Sequence, residues 1–316
     1  MGAPRLTAVS RTQGNNADLK AGLVTPANCS LEFEEVPVLV HAFRRMVREL
    51  SFDLCEMAFT TYLCAKAHGR PFTALPVFLV RDFHHGAILR HVASGIDRPE
   101  QLQGRRVGVN RGYTVTTGVW ARAILQTEYG LDLDRVDWVR SDEEHVAEYR
   151  PPANVTDLPA GEELAEQLAG GQLAGVVGGL KTDDPGIVPL IPDPDEAGYA
   201  AYESRGLYPI NHLVVVRDEL LAEHPTLAAD LFDAFAESKR RYVERLAADE
   251  VEEPSAVDRM HRRVMQISGD DPLPYGIAPN RAMIDELLQH AVTQRILDRP
   301  MPVENLFARG THELTA

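Results

Sequence analysis

Apolar and polar positions alternate along the first third of the chain in two rhythms, one of period two and one of period 3.6. Residues 6–9 read as a strand, followed by a polar loop over 11–16 and a short helix from Ala17. Residues 31–36 form a second strand segment. Over 38–50 the apolar positions Val40, Phe43, Met46 and Val47 fall on one helical face. A third strand over 52–58, a helix over 60–68 and an apolar run over 74–80 follow. Strands that alternate with helices imply a mostly parallel sheet with helices on both faces.

The pattern continues with a strand over 86–92, a short helical connection over 97–102 and a strand over 106–109. That last strand runs through a polar turn into a helix starting near Val115 and ending near Gly130. A strand over 136–140, a polar Pro-containing stretch over 141–159, a helix over 162–168 and a short buried strand over 175–178 complete a second α/β block. The chain then returns through an apolar strand over 210–216. It finishes in helices near 225–246, 254–267 and 280–297, each bounded by Pro, Gly or Asn stop signals. The expected organisation is one lobe, residues 96–212, inserted within another made of 1–95 and 213–316. Two crossings, near 93–106 and 205–215, would join them as a hinged clamshell. Ligands of open parallel sheets sit beyond the carboxyl ends of strands, which puts the expected ligand cleft between the lobes.

Size and charge narrow the function classes. A chain of 316 residues is about twice a usual domain. A hydrophobic content of 44% excludes wholesale disorder. The formal net charge of -15 argues against nucleic acid and against an anionic membrane surface as partners. It does not exclude an anionic small molecule, which needs only a few local Arg, His or helix-terminal N–H groups. The basic residues are almost all Arg; the lysines are Lys20, Lys66, Lys181 and Lys239. Cys29, Cys55 and Cys64 are odd in number and lack CxxC spacing, which argues against a disulfide framework and a structural zinc site. Neither HxH nor HxxxH spacing occurs at His84 and His85, and no metal is expected. The opening MGAPRLTAV lacks a secretory apolar region, so a cytoplasmic location is expected.

The polar residues that follow strands carry the candidate chemistry. Arg81, Asp82, Phe83, His84 and His85 follow the 74–80 run. Arg81 suits a bidentate grip on a carboxylate, and His85 suits proton transfer near neutral pH. Adjacent His84 and His85 point to opposite sides of an extended chain, so one of them at most faces a ligand. The alternative is a solvated loop with Asp82 paired to an Arg. Tyr113, Thr114, Thr116 and Thr117 sit at the start of a helix, whose free N–H groups favour an anion. Thr114 as a simple N-cap uses the same residue types. Glu56, at the end of an apolar strand before Thr60 and Thr61, is either an acid of raised pKa or a partner of the next helix or of an Arg. Asn211 and His212 open the returning strand, His212 being either a second proton donor or a hydrogen-bonded hinge residue. Lys181 is a candidate anion contact, and Arg11 stands in the first polar loop. Trp120 and Trp138 read as core.

Five segments carry a resemblance to a known family. They are FDLCEMAFTTYLCAKAHG (52–69), ALPVFLVRDFHHGAILRH (74–91), GRRVGVNRGYTVTTGVWARAILQTEYGL (104–131), YPINHLVVVR (208–217) and YGIAPNR (275–281). In order and spacing they resemble the 4,5-dihydroxyphthalate decarboxylase family, which shares the type II periplasmic-binding-protein fold with solute receptors. GRRVGV followed by a polar turn is common to that superfamily; the RDFHHGAI and YPINH segments are more particular to the decarboxylases. The chain departs from the family pattern at cleft positions. Phe59, Thr60 and Thr61 replace a Ser-rich turn, His84 replaces an Arg, the 11–16 loop is poorer in Arg, and Lys181 stands in a turn that ordinarily contains Arg.

The resemblance implies a cofactor-independent decarboxylase of a hydroxylated, phthalate-like aromatic acid, acting in aromatic-compound catabolism. Arg81 and the Thr114–Thr117 helix start would hold carboxylate, and His85 with His212 or Glu56 would form the acid–base pair. The competing readings are a receptor that only binds an aromatic or heterocyclic acid, and a dehydratase of the menaquinone-precursor type on the same fold. A homo-oligomer is compatible with the sequence but not specified by it.

Overall fold

The computed structural model describes residues 4–316. In chain order the elements are β1 (Arg5–Val9), α1 (Ala17–Lys20), β2 (Ser30–Phe33), α2 (Leu39–Glu49), β3 (Leu54–Ala58), α3 (Phe59–Ala67) and β4 (Phe72–Arg81). There follow β5 (Ile88–His91), β6 (Arg106–Val109), α4 (Thr116–Thr127), β7 (Asp137–Arg140), β8 (Val155–Asp157), α5 (Leu164–Ala169), β9 (Gly175–Val177), β10 (Ile187–Pro189) and α6 (Pro194–Arg205). The last elements are β11 (Ile210–Arg217), α7 (Asp218–Glu223), α8 (Leu227–Ala247), α9 (Ala256–Ser268) and α10 (Arg281–Thr293).

The chain divides into two compact units. The first comprises Met1–Arg81, Ile210–Asp285 and Met301–Ala316, the second Asp82–Pro209 and Glu286–Pro300. The expected boundaries at 95/96 and 212/213 therefore shift. Residues 82–95 belong to the second unit because β5 pairs with β9 and β10. Residues 286–300, expected with the C-terminal helices, also belong there; Gln294 accepts a hydrogen bond from Arg122 Nε at 2.8 Å.

The first unit is built on a five-stranded sheet of order β2-β1-β3-β11-β4. β1 runs parallel to β2 and β3, whereas β11 is antiparallel to β3 and β4. The sheet is thus mixed, not mostly parallel, because β11 re-enters between two strands laid down earlier. All five residues of β3 are buried, as are Phe43, Met46 and Val47 of α2. His212 pairs with Ala58 on one side and Val80 on the other, and the β4 ladder slips on both sides of His212. Irregularities of this kind re-aim a side chain.

The second unit holds a six-stranded sheet of order β10-β5-β9-β6-β7-β8. β6, β7, β8 and β9 are parallel, and β5 is antiparallel to both β9 and β10. Four elements escape the sequence pattern: β8, β10, α6 and α7. β8 and β10 are three residues long and, unlike the equally short but buried β9, form no buried apolar run. α6 has end signals, with Pro194 at its start, Asp195 and Glu196 in the first turn and Gly206 at its end in the left-handed region. Only Gly198 and Ala201 of it are buried, so no apolar stripe betrays it. Trp120 and Trp138 are core residues, as read. Among the described residues no helix is long and apolar enough to cross a membrane.

Candidate active site

In the first unit, parallel strands β1 and β3 end where antiparallel β11 begins, so residues from distant parts of the chain share one end of the sheet. Ser10 follows β1, Glu56 lies one turn of pleat before the end of β3, Arg81 closes β4, and Asn211 and His212 open β11. Thr60 and Thr61 are fully buried in the first turn of α3.

Glu56 is fully buried at this end of the sheet. An interior carboxylate needs donors to replace water, and four groups approach it. Oε2 accepts hydrogen bonds from Ser10 Oγ at 3.0 Å and from the Arg11 N–H at 2.9 Å. Oε1 pairs with His212 Nδ1 at 2.7 Å and lies 3.5 Å from Gln13 Nε2. With a carboxylate as acceptor, the His212 proton resides on Nδ1, and the opposite nitrogen, Nε2, is the one left for other partners. The ring is held from the side by Phe43, edge-on at a centroid separation of 5.3 Å. His212 is half-buried, its carboxylate partner wholly so. This arrangement can pass a proton through Nε2 while Glu56 orients and stabilises the imidazolium. Arg81 is buried and donates through Nη2 to Asn280 Oδ1. Arg11 contributes its backbone N–H to Glu56, and its side chain is exposed. Asn211 is buried.

The second unit holds the remaining candidates. His85 lies in a short turn over His85–Ala87 and is completely buried, with Nε2 3.0 Å from Glu128 Oε2. Nδ1 is buried without a hydrogen-bond partner. Glu128 is bonded in turn by Arg205 at 2.6 Å, and Arg205 reaches Glu286 at 3.1 Å. Burial raises the Glu128 pKa, but the bonds from His85 and Arg205 outweigh it and hold the group below the ordinary carboxylate range. His84 is buried beside His85. Phe83 fixes this segment against Tyr199 and Tyr208, at centroid separations of 5.1 and 5.3 Å.

At the start of α4, where an anion cradle is expected, a side chain of the protein takes the Tyr113 and Thr114 donors. Glu144 Oε1 accepts the Tyr113 N–H at 2.7 Å and Arg140 Nη1 at 2.9 Å. Oε2 accepts the Thr114 N–H at 3.1 Å and the Thr114 hydroxyl at 2.7 Å. Thr114 is accordingly not the N-cap: that place falls to Val115, which makes no side-chain cap bond. Arg122, fully buried, stacks on the Tyr113 ring at 3.9 Å and donates to the Tyr113 carbonyl at 2.6 Å. Burial lowers its pKa. Thr116 is buried, Thr117 half-buried, and Lys181 exposed.

Sequence reading missed Ser10, Gln13 and Glu144, although Ser10 follows a strand directly, the same signal that singled out Arg81. The three cysteines are buried and unbridged. Burial, then the Glu56 charge, pushes the Cys55 thiol well up, consistent with an inert side chain. Among the described residues no group of three or more His, Cys, Asp or Glu is arranged to hold a metal ion.

No protein-family model matches the chain. A 4,5-dihydroxyphthalate decarboxylase from Comamonas testosteroni is 32% identical over 281 residues, 84% of this chain and 84% of that protein. A second protein of that name, from Pseudomonas putida, is 35% identical over 144 residues, 43% of this chain and 55% of its own length. Among solved structures, the alkanesulfonate-binding protein SsuA from Xanthomonas axonopodis pv. citri, bound to MOPS, matches 96% of this chain and 98% of its own. Its TM-score is 0.52 at 13% identity. The desulfurization enzyme DSZB matches 96% of both chains with a TM-score of 0.55 at 14% identity. At such identities these likenesses establish the fold, that of periplasmic binding proteins. The sequence match across most of both chains goes further: this chain belongs to the 4,5-dihydroxyphthalate decarboxylase family, a family of carboxy-lyases.

Proposed function

We propose that this protein decarboxylates a hydroxylated aromatic dicarboxylic acid of the 4,5-dihydroxyphthalate type, without a cofactor, in the catabolism of aromatic compounds. The observation that carries the reading is the His212–Glu56 pair near the strand ends of the first sheet, on a chain of this family. In the reaction a ring hydroxyl para to the departing carboxylate loses its proton, and its electrons flow to the carbon bearing that carboxylate. A general acid protonates that carbon. The bond to the carboxylate then breaks, carbon dioxide leaves, and the bonding electrons restore the aromatic ring. The protein must hold the retained carboxylate, accept one proton and deliver another.

His212 is the proton-transferring group in this reading, through Nε2, and Glu56 holds the imidazole in the required tautomer. Arg81 supplies the positive charge that anchors the retained carboxylate. His85 is assigned a structural role, since its ring is buried and its accessible partner is Glu128. A substrate carboxylate at the Thr114 helix start would have to compete with Glu144 for the same donors.

The test is incubation with 4,5-dihydroxyphthalate and, in parallel, with unsubstituted phthalate. Carbon dioxide and a dihydroxybenzoate are expected from the first and nothing from the second, because only the hydroxylated ring can store the electrons. Tight binding of both acids with no carbon dioxide from either would reject the enzyme in favour of a receptor.

A further inference from the structure

The loop between β1 and α1 does more than join them. Asn16 stands at the N-cap of α1, where an Asn ordinarily accepts a backbone N–H of the first turn. Here its side chain makes no cap bond and is fully buried, turned back onto the loop. Its Oδ1 accepts the Gln13 N–H at 2.8 Å. A backbone N–H can only donate, so the amide orientation is fixed, and Nδ2 faces Ser10 Oγ at 2.7 Å and the Arg11 carbonyl at 2.9 Å.

That fixes a proton one residue further on. Ser10 Oγ must accept from Asn16 Nδ2, which leaves the single hydroxyl hydrogen for either Glu56 Oε2 or the Arg11 carbonyl, both at 3.0 Å. The carbonyl is already supplied by Asn16, and a carboxylate is the stronger acceptor. The hydrogen therefore goes to Glu56, beside the Arg11 N–H on the same oxygen. Two donors on Oε2 pin the carboxylate plane and leave Oε1 to His212 Nδ1 at 2.7 Å, with Gln13 Nε2 further off at 3.5 Å. The loop itself is pinned twice more. Lys20 Nζ donates to the Ser10 carbonyl at 2.7 Å. Gly14 lies so close to Tyr242 that a Cβ would fall 2.2 Å from its ring.

We propose that Asn16 and Ser10 are positioning residues: through the Ser10 hydroxyl they orient Glu56, and through Glu56 they fix the tautomer and aim of His212. The inference rests on His212 as the proton-transferring group and deepens that reading. Neither residue touches the substrate in this scheme.

The test reads His212 directly. In 15N-labelled unsubstituted protein, the Nδ1–H held by Glu56 gives a slowly exchanging downfield proton resonance. Ser10→Ala should lose that resonance to exchange with water and lower kcat roughly 10–100-fold, the scale of a misplacement near 1 Å, with KM within roughly twofold. Ser10→Thr keeps the hydroxyl and should restore both. Asn16→Ala should behave as Ser10→Ala does; should it fail to fold, the Ser10 pair decides alone. Ser10→Ala with the resonance and kcat of the unsubstituted protein would overturn the proposal. So would a fall in kcat with the resonance intact, or a rise in KM as large as the fall in kcat, which would mean direct contact with substrate. Should no acid release carbon dioxide while the resonance still follows the Ser10 hydroxyl, the positioning role stands and only the functional reading falls.

Discussion

The two units each contain a histidine paired with a glutamate, and the pairs are inside out relative to each other. In the first unit the His212 side chain is 20% exposed and Glu56 1%. In the second the His85 side chain is 0% exposed and Glu128 21%. A histidine can exchange protons with a ligand only through the nitrogen its carboxylate does not hold. The His212 side chain is partly exposed, whereas for His85 that nitrogen is buried with no partner. On the proposed reading, the same residue types give an acid–base pair in one place and a structural strut in the other. Burial order, not residue identity, separates them.

The comparison can be broken most decisively at His212. His212→Gln should retain folding and much of the binding, because hydrogen bonding to Glu56 survives, while kcat falls by roughly 10²–10⁴, the usual contribution of general acid–base catalysis. Turnover at the unsubstituted rate, measured as carbon dioxide release, would move the acid–base role elsewhere.

A third histidine sharpens the comparison through pH. His261 in α9 is buried against Tyr242, whose hydroxyl lies 2.9 Å from its Nδ1. Burial lowers its pKa from 6.5 to about 4, with Asp258 opposing and Arg81 reinforcing the shift. The unfolded chain takes up a proton below pH 6.5 that the folded chain resists until about pH 4. Stability from this group is therefore whole above pH 6.5 and lost as pH falls towards 4, by about 3 kcal/mol in total. His261→Gln, which cannot titrate, should flatten that part of an acid denaturation series. An unchanged slope between pH 6.5 and 4 would show that another group controls it.

The smallest effect is expected at His85. His85→Gln should leave kcat within roughly threefold and reduce the unfolding free energy by about 1–2 kcal/mol, the range for a weakened buried hydrogen bond. Denaturant titration alongside turnover separates the two quantities. A large fall in kcat at unchanged stability would reverse the assignment of the two pairs.

Much of the first unit was legible because its signals are local. β3 reads as a buried strand with a single polar residue, and Glu56 is conspicuous there for that reason. Arg81 and His212 were marked by standing at strand ends. The mixed sheet was not legible, because strand direction depends on where β11 inserts, and its own apolar run is the same for either direction. Nor were β8 and β10, three residues each and without the burial that made the equally short β9 legible. At the start of α4 the local reading named a cluster of donors but could not see that Glu144, thirty residues on from Thr114, already bonds those of Tyr113 and Thr114.

The amino-acid sequence by itself determined the α/β class, most elements, the family resemblance and the residue types available for acid–base chemistry. These follow from periodicity, turn residues and motif order, which are properties of neighbours in the chain. Tertiary structure alone decided which histidine is paired with a buried carboxylate and which is itself buried. Glu56 lies 156 residues from His212 and 46 from Ser10. A hydrogen bond acts over about 3 Å, so contacts between such distant positions exist only once the strands have been brought side by side in one sheet.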